Sequence, residues 1–227
     1  MKKHLLLSCL LFFVACTPVK VTKEYYEDYV NPKPSIDYEN TVSTELPAEF
    51  LDDYYTIDSK IVRLVDQIDL MDSQLDTSWI EGQKSAHPWI RHMAVLDQEL
   101  LLITGDDTLG FDPHIRDSLA GKTTEARRFC ITSNDRVILV HVADAGNAKF
   151  RTTLVEIDMA LLAADVPGSR TSLVTGDQVH GGTAVPADTL ADIEKSTSYA
   201  GQTGLGERDL YWIRSMASDN LVYVYSN

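Results

Sequence analysis

The stretch VILVHVADAGNAKFRTTLVEI, residues 137–157, contains two apolar runs separated by a short polar connection. Residues 137–142 and 150–157 are rich in β-branched and other apolar side chains, which predicts a strand in each run. The connection Asp144-Ala145-Gly146-Asn147 is typical of a turn, and a connection this short joins antiparallel neighbours. The stretch therefore predicts an antiparallel hairpin in the middle of the chain.

Further short elements flank this hairpin. On its N-terminal side the sequence predicts strands at 90–96 and 100–104 around the turn Asp97-Gln98-Glu99, a helix at 113–120 that ends at Gly121, and a strand at 128–132 before the turn Ser133-Asn134-Asp135. On its C-terminal side, Asp158 is a suitable N-cap for a short helix at 159–164 that closes near Pro167. Strands joined by such turns favour an antiparallel sheet with helices beside it, so the predicted fold class is α+β.

A long amphipathic helix is predicted before the first strand. Its apolar side chains recur at alternating steps of four and three residues: Ile57, Ile61, Leu64, Ile68, Met71 and Leu75. This stripe could form the seam of a homodimer, although it holds for fewer than three heptads. It could equally pack on the protein's own sheet, and this second explanation is preferred.

Several short patterns lie within this layout: Met93-Ala94-Val95-Leu96-Asp97, residues 100–105, Ser118-Leu119-Ala120-Gly121-Lys122, residues 137–143 and Thr153-Leu154-Val155-Glu156-Ile157-Asp158. Together they resemble the Cache domain, the extracytoplasmic PAS-like sensor fold. In that family a long N-terminal helix precedes a strand ending in Val-x-Asp, a helix ending near Gly-Lys and a last hairpin that runs into Ile-Asp. The resemblance covers residues 47–166 and implies a sensor module with a long N-terminal helix packed on an antiparallel PAS/Cache-like sheet. It implies no ligand class, because the spacing of Tyr, Arg, Trp, Tyr and Asp associated with amino-acid-binding Cache domains is absent from the sequence.

Residues 167–227 repeat part of this layout. The sequence predicts a strand at 171–175, a turn at Asp177-Gln178, a short helix at 188–196, and a closing hairpin of 210–216 and 221–225 around Ala217-Ser218-Asp219-Asn220. Two interpretations stay open for this part. It resembles an abbreviated second Cache-like module, as in double Cache proteins, or it completes a single larger sheet.

The N-terminal residues have the features of a bacterial lipoprotein signal. Lys2 and Lys3 precede an apolar run at 5–15, and Leu11-Phe12-Phe13-Val14-Ala15-Cys16 resembles the lipobox, in which the cysteine is acylated and becomes the new N-terminus. The run is too short to span a bilayer, which takes about 20 apolar residues. We therefore expect a signal peptide at 1–15, a lipid on Cys16 and a proline-rich tether at 16–46. The protein would face the periplasm or the cell exterior from a bacterial membrane, which in a Gram-negative cell is the outer membrane because Thr17, not Asp, follows the cysteine.

Composition argues against one class of partner. The chain has 20 Lys and Arg against 34 Asp and Glu, a formal net charge of −14. Affinity for nucleic acid comes from clustered Lys and Arg, so nucleic acid is not an expected partner. Cys9 would leave with the signal and Cys16 would carry lipid, which leaves Cys130 as the single thiol and predicts no internal disulfide.

Patterns of catalysis and metal binding are incomplete in the sequence. His180-Gly181-Gly182 resembles part of an oxyanion loop, but no Gly-x-Ser-x-Gly elbow accompanies it. Ala120-Gly121-Lys122-Thr123 ends like a phosphate loop, but Arg116 stands where the first glycine should be. The acidic residues at 106–114 lack calcium-loop spacing, and the histidines form no His-x-x-x-His pair. The prediction is a protein that is not an enzyme and has no catalytic residue, cofactor or metal.

The candidate ligand-binding residues are polar or aromatic side chains in or beside otherwise apolar strands: Arg128, His141, Asp144, Trp212 and Arg214. Small-molecule sites are mostly apolar with a few convergent polar groups. The fork of an arginine suits a carboxylate, a tryptophan ring can cover an apolar or cationic part of a ligand, and Asp144 at a strand end could meet an amine. Trp212 and Arg214 are predicted to share one face of their strand.

These features predict a lipid-anchored extracytoplasmic module that recognises a small molecule and signals through a separate envelope protein. The alternative is a structural or assembly lipoprotein that uses a Cache-like fold as a protein-binding surface. A pocket lined by Arg128, His141 and Trp212 would favour the sensor. A filled core with an exposed apolar face would favour the assembly function.

Overall fold

Helix α1, Ala48–Leu70, is the first element in the described part of the computed structural model. The structure describes residues 46–71, 75–125, 127–145, 150–166, 168–176, 178–182, 184–205 and 208–227. The described residues do not include the predicted signal peptide at 1–15, Cys16 or nearly all of the predicted tether at 16–46. The signal peptide, the acylation of Cys16 and the tether therefore stay predictions.

The apolar stripe of α1 is longer at its N-terminal end than the sequence predicted. Fully buried side chains, each at most 1 % exposed, recur along it at alternating steps of four and three residues: Phe50, Tyr54, Ile57, Ile61, Leu64 and Ile68. Val65, next to Leu64, is fully buried as well. At the other end the prediction was too long, since the helix ends at Leu70 and Leu75 lies beyond it. A separate helix, α2, Thr77–Ala86, follows, and its N-cap Asp76 accepts a hydrogen bond from the backbone N–H of Trp79 at 2.8 Å.

The first sheet contains five antiparallel strands in the order β2-β1-β5-β4-β3. They are β1 Ile90–Leu96, β2 Leu102–Gly105, β3 Arg127–Ser133, β4 Arg136–Asp144 and β5 Phe150–Ile157. The short helices α3, Asp107–Gly110, and α4, Pro113–Leu119, connect β2 to β3. The turn between β3 and β4 uses Asn134 and Asp135 at φ values of 51° and 62°, as a two-residue hairpin with the twist of its strands requires. The hairpin of β4 and β5 has the predicted antiparallel pairing.

Residues 171–226 form a second sheet, in the order β7-β6-β10-β9-β8. Its strands are β6 Thr171–Thr175, β7 Gln178–Gly181, β8 Ala200–Leu205, β9 Arg208–Arg214 and β10 Leu221–Ser226. Helix α5, Met159–Leu162, precedes it and α6, Ala187–Lys195, connects β7 to β8.

The interpretation of this part as the completion of one larger sheet is wrong, because its strands pair only with one another among the described residues. The predicted turn at Gln178 is also wrong, since β7 begins there and includes His180 and Gly181. The predicted domain limits at 46/47 and 166/167 stay predictions.

One apolar cluster joins α1 to both sheets. Its members include Ile61 from α1, Leu139 and Val155 from the first sheet, and Ile213 and Tyr223 from the second. The stripe of α1 is thus buried within the chain, so the homodimer seam is wrong and packing on the protein's own sheets is what the structure has. Two smaller clusters cover the outer faces of the sheets, one beneath α3 and α4 and one beneath α6. Among the described residues, no helix has both the length and the apolar character that crossing a membrane requires.

Candidate functional site

A cavity of about 440 Å³ lies where the end of α1, the first sheet and the β9–β10 connection meet. We call it the junction cavity. Its charged and polar lining consists of Asp69 from α1, Arg127, Arg128, His141, Asp144 and Arg151 from the first sheet, and Ser218 and Asp219 from the connection. A molecule bound there would touch α1, the first sheet and the β9–β10 connection at once.

Asp69 joins the last turn of α1 to two neighbouring strands. Arg128 and His141 are paired in register across β3 and β4, so both side chains reach the same carboxylate. Arg128 Nη2 donates to Oδ2 of Asp69 at 2.7 Å, and His141 Nε2 lies 2.8 Å from Oδ1. Because an ionised carboxylate only accepts hydrogen bonds, the imidazole must carry its proton on Nε2. Burial lowers the pKa of His141, the charge of Asp69 partly offsets this, and the charge of Arg128 lowers the pKa again.

Arg127 is held more loosely at the cavity. Its guanidinium carbon lies 5.0 Å from the ring centre of Phe129. Its two nearest carboxylates are distant, with Nη1 3.5 Å from Glu125 and Nη2 3.8 Å from Asp219. Strong charge-assisted hydrogen bonds are about 2.7–2.9 Å long. The Arg127 side chain could therefore form a closer contact with an anionic group than the one it has.

The β9–β10 connection closes one side of the cavity by bonding to the edge of the first sheet. The Asn220 amide acts in place of a neighbouring strand: its Oδ1 accepts from the backbone N–H of Cys130 at 2.6 Å, and its Nδ2 donates to the Cys130 carbonyl at 2.8 Å. The backbone N–H of Asp219 donates to the carbonyl of Arg128 at 2.9 Å. The wall formed by residues 216–219 is thus fixed to β3.

Three of the five predicted site residues line the junction cavity, namely Arg128, His141 and Asp144. Trp212 and Arg214 do not. They share one face of β9 as predicted, with the Arg214 guanidinium carbon 5.7 Å from the Trp212 ring centre, but this face is the outer face of the second sheet. Sequence spacing alone does not show which face of a strand is turned toward a distant strand.

Packing and backbone contacts account for Trp212 and Arg214. The Trp212 ring is buried against the backbone of Gly201, where an added Cβ would lie only 2.6 Å from the ring. Arg214 donates to the backbone carbonyls of Ile193, Ser196 and Ser198, at 2.8 to 3.1 Å. It thereby satisfies carbonyl groups at and beyond the end of α6, which have no partner within the helix.

The sequence analysis missed Asp69, Arg127, Arg151 and the wall residues 216–219. The adjacent arginines Arg127-Arg128 were a usable signal, since successive residues at the end of an edge strand can both reach a cavity that opens there. Asp69 gave no such signal, because it lies on the polar face of α1 among other acidic residues. Within the described part of the chain, no cluster of three or more His, Cys, Asp or Glu side chains could hold a metal ion.

No protein-family model and no curated protein sequence matches the chain. Among solved structures, an extracellular ligand binding receptor from Desulfohalobium retbaense is similar, with a TM-score of 0.51 and 9 % identity over 82 % of this chain. The chain spans 40 % of that receptor's length. A domain of a sensory box/GGDEF family protein from Vibrio parahaemolyticus has a TM-score of 0.48 and 11 % identity, over 84 % of this chain and 97 % of that one. The ligand binding domain of an amino acid chemoreceptor from Pseudomonas aeruginosa, in complex with L-arginine, has a TM-score of 0.45 and 13 % identity, over 78 % of this chain and 84 % of that one.

At 9 % identity, the likeness to the Desulfohalobium receptor shows the fold alone. It agrees with the α+β class, the long N-terminal helix and the antiparallel sheets that the sequence predicted, and these features are confirmed. The sequence had left open whether the C-terminal part forms a second module or completes one larger sheet. The structure has a second antiparallel sheet there.

Proposed function

We propose that this chain is a lipid-anchored, extracytoplasmic sensor module that binds a small polar molecule in the junction cavity. The observation that carries the proposal is the convergence of three arginines, one histidine and three aspartates on one cavity of about 440 Å³ between the end of α1, the first sheet and the β9–β10 connection. This volume lies in the range of about 300–1,000 Å³ that is usual for small-molecule sites.

The lining favours a ligand with an acidic group. Arg127 and Arg128 on β3 and Arg151 on β5 lie on either side of β4 and line the same cavity. A guanidinium fork binds carboxylate or phosphate oxygens in a bidentate manner. Asp144 and Asp219 at the same cavity favour a second part of the ligand that donates hydrogen bonds. A wholly apolar ligand is disfavoured, because it would remove these polar groups from water without replacing their hydrogen bonds.

Anchoring and signalling complete the proposal. The lipobox-like residues at 11–16 support acylation of Cys16, which would hold the module outside the cytoplasm. A ligand in the junction cavity would then be reported to a separate envelope protein by contact. The similar fold of an extracellular ligand binding receptor supports this location and this kind of function.

A thermal-shift screen against organic acids, amino acids, amines and nucleobases tests the proposal. A ligand at about 100 times its dissociation constant should stabilise the folded state by about 2.7 kcal/mol and raise the melting midpoint by a few degrees. The shift should shrink in Arg127→Ala and Arg128→Ala and persist in Arg208→Ala, whose side chain is exposed on β9 outside the junction cavity. An absence of any shift, or an equal shift in all three variants, would contradict ligand binding in this cavity.

The assembly function is the second candidate, and exposed apolar side chains at the edge of the first sheet favour it. Leu101 and Ile103, beside and within edge strand β2, are 53 % and 57 % exposed, and Phe111 is 57 % exposed. Edge strands with exposed apolar groups can pair with another chain. If cross-linking in cells recovers one stoichiometric partner that Ile103→Asp abolishes, and the screen gives no shift, the assembly function replaces the sensor.

A further inference from the structure

Asp58 is a buried carboxylate in the middle of α1, only 2 % exposed and surrounded by the main apolar cluster. Burial raises its pKa, and the hydrogen bonds that it accepts counteract part of this effect. Its Oδ1 accepts from the hydroxyl groups of Ser215 and Tyr223, at 2.5 and 3.0 Å, and its Oδ2 accepts from the backbone N–H of Met216 at 3.1 Å. Asp58 itself is not among the residues that line the junction cavity.

One of these three donors, Met216, belongs to the cavity wall, and a second, Ser215, is its direct neighbour in the chain. Residues 216–219 line the cavity, and Ser215 immediately precedes them. The Ser215 hydroxyl also accepts from the backbone N–H of Ala217 at 3.0 Å, so Asp58 fixes a short turn at the start of the wall. At the far end of the wall, Asp219 N–H bonds to the Arg128 carbonyl at 2.9 Å. The wall is therefore held to α1 at one end and to β3 at the other.

A carboxylate at this position needs an explanation beyond stability. A buried charged group is costly unless it is fully hydrogen-bonded, and an apolar side chain of similar volume is often at least as stabilising. What an apolar residue cannot do is accept from Ser215 and Met216 together and so define the path of the backbone there.

We propose that Asp58 is a positioning residue of the junction cavity, which holds the wall at residues 216–219 in the arrangement that a ligand meets. The effect of Asp58 on amide hydrogen exchange in the wall depends only on the fold. Its effect on ligand affinity rests on the proposed function. Contacts between a ligand and the wall favour the same backbone arrangement of the wall as the hydrogen bonds to Asp58 do. A substitution at position 58 therefore alters the cavity, although the side chain at this position does not touch the ligand.

Three variants separate positioning from general stability. Asp58→Ala removes the acceptors for Ser215 and Met216. Tyr223→Phe removes one hydrogen bond from the same carboxylate but leaves the wall contacts intact, so it is the matched control. Asp58→Asn can turn its amide oxygen to Met216 and its NH₂ group to the two hydroxyl oxygens, and it should therefore rescue the wall.

The first measurement is amide hydrogen exchange in the full chain in detergent, without ligand. Exchange at Asp219, the end of the wall farthest from Asp58, should be at least about tenfold faster in Asp58→Ala than in the wild type, a factor that corresponds to about 1.4 kcal/mol. It should change less than about twofold in Tyr223→Phe and in Asp58→Asn. If Asp58→Ala does not fold, Ser215→Ala takes its place with the same direction of effect. Equal acceleration in the Tyr223→Phe control, or unchanged exchange when the wall contacts are removed, would overturn the proposal.

The second measurement is calorimetric titration with malonate, a small dicarboxylate that suits an arginine-lined cavity. Affinity should fall at least tenfold in Asp58→Ala and stay within twofold in Tyr223→Phe. An equal loss in both variants would contradict positioning. If the wild type does not bind malonate, the acidic-ligand part of the proposed function fails, whereas the exchange result still decides the role of Asp58.

Discussion

Arg128 and Asp69 form an ion pair of 2.7 Å between β3 and the last turn of α1, across 59 positions of sequence. Both side chains remain more than a third exposed, at 38 % and 41 %, so solvent screens the pair and its net contribution to stability is about 0–1 kcal/mol. Its importance is geometric. It places the Arg128 guanidinium beside the buried imidazole of His141 at the junction cavity, and the carboxylate of Asp69 contacts both groups.

Asp69→Asn should lower the pKa of His141 further below its usual range. Burial lowers this pKa most, the carboxylate of Asp69 raises it and the charge of Arg128 lowers it, so removing the Asp69 charge removes the largest raising effect. A nuclear magnetic resonance titration of the imidazole would measure the change. Asp66→Asn, an exposed position on the same helix, is the control and should leave the pKa of His141 unchanged. A higher pKa in Asp69→Asn would show that the two side chains are not in contact.

His141 should make the folded state less stable in acid. Because the pKa of His141 is lowered from its ordinary value of 6.5, the unfolded chain takes up a proton first as the pH falls. The stability linked to this group is fully present above that value and is lost as the pH falls below it. One proton accounts for a slope of at most about 1.4 kcal/mol per pH unit. Urea denaturation between about pH 7 and pH 5 should show a smaller loss for His141→Gln than for the wild type, and equal losses would contradict the prediction.

Local patterns predicted the elements that have strong periodicity. The stripe through Ile57, Ile61 and Leu64 gave α1, and the apolar runs of β4 and β5 gave the central hairpin. Two strands of the second sheet were missed for a physical reason. All four residues of β7 are at least partly exposed, and β8 contains Gly201 and Gly204, so neither has the alternating apolar pattern of a half-buried strand.

The candidate site was predictable only in part. His141 was identified because it lies within an apolar strand, and Arg128 because it opens one. They are neighbours because β3 and β4 form one hairpin. Their shared partner Asp69 was not identifiable, since the packing of α1 on the sheet decides which exposed aspartate meets them. Asp58 was missed for a related reason, because its donors lie 157 to 165 positions later in the chain.

Cys130 should be unreactive in the folded protein. It is buried, and burial raises the pKa of its thiol to about 11, so almost none of the reactive thiolate is present at pH 8. Alkylation by iodoacetamide should therefore be slow in native buffer and fast in urea, with glutathione in the same tube as the reference thiol. Native alkylation as fast as that of glutathione would show that the environment of Cys130 is open.

Cys16→Ser should abolish lipid modification and leave an uncleaved precursor. The prediction rests on the lipobox-like residues at 11–16, because acylation requires the cysteine thiol. Metabolic labelling with a fatty acid, followed by gel electrophoresis, measures both effects. Cys130→Ser is the matched control and should be labelled like the wild type. Label retained in Cys16→Ser would refute the predicted anchor.

Ile61→Asp should unfold the chain. Ile61 is 0 % exposed and belongs to the cluster that joins α1 to both sheets. Truncation of such a residue to alanine costs about 2–5 kcal/mol, and an unpaired charge in the same place costs more, against a total stability of about 5–15 kcal/mol for a typical protein. Arg63→Asp, exposed two positions further along α1, introduces the same side chain and should remain folded. Circular dichroism with light scattering separates the outcomes, and a folded monomer from Ile61→Asp would show that the stripe is an intermolecular seam after all.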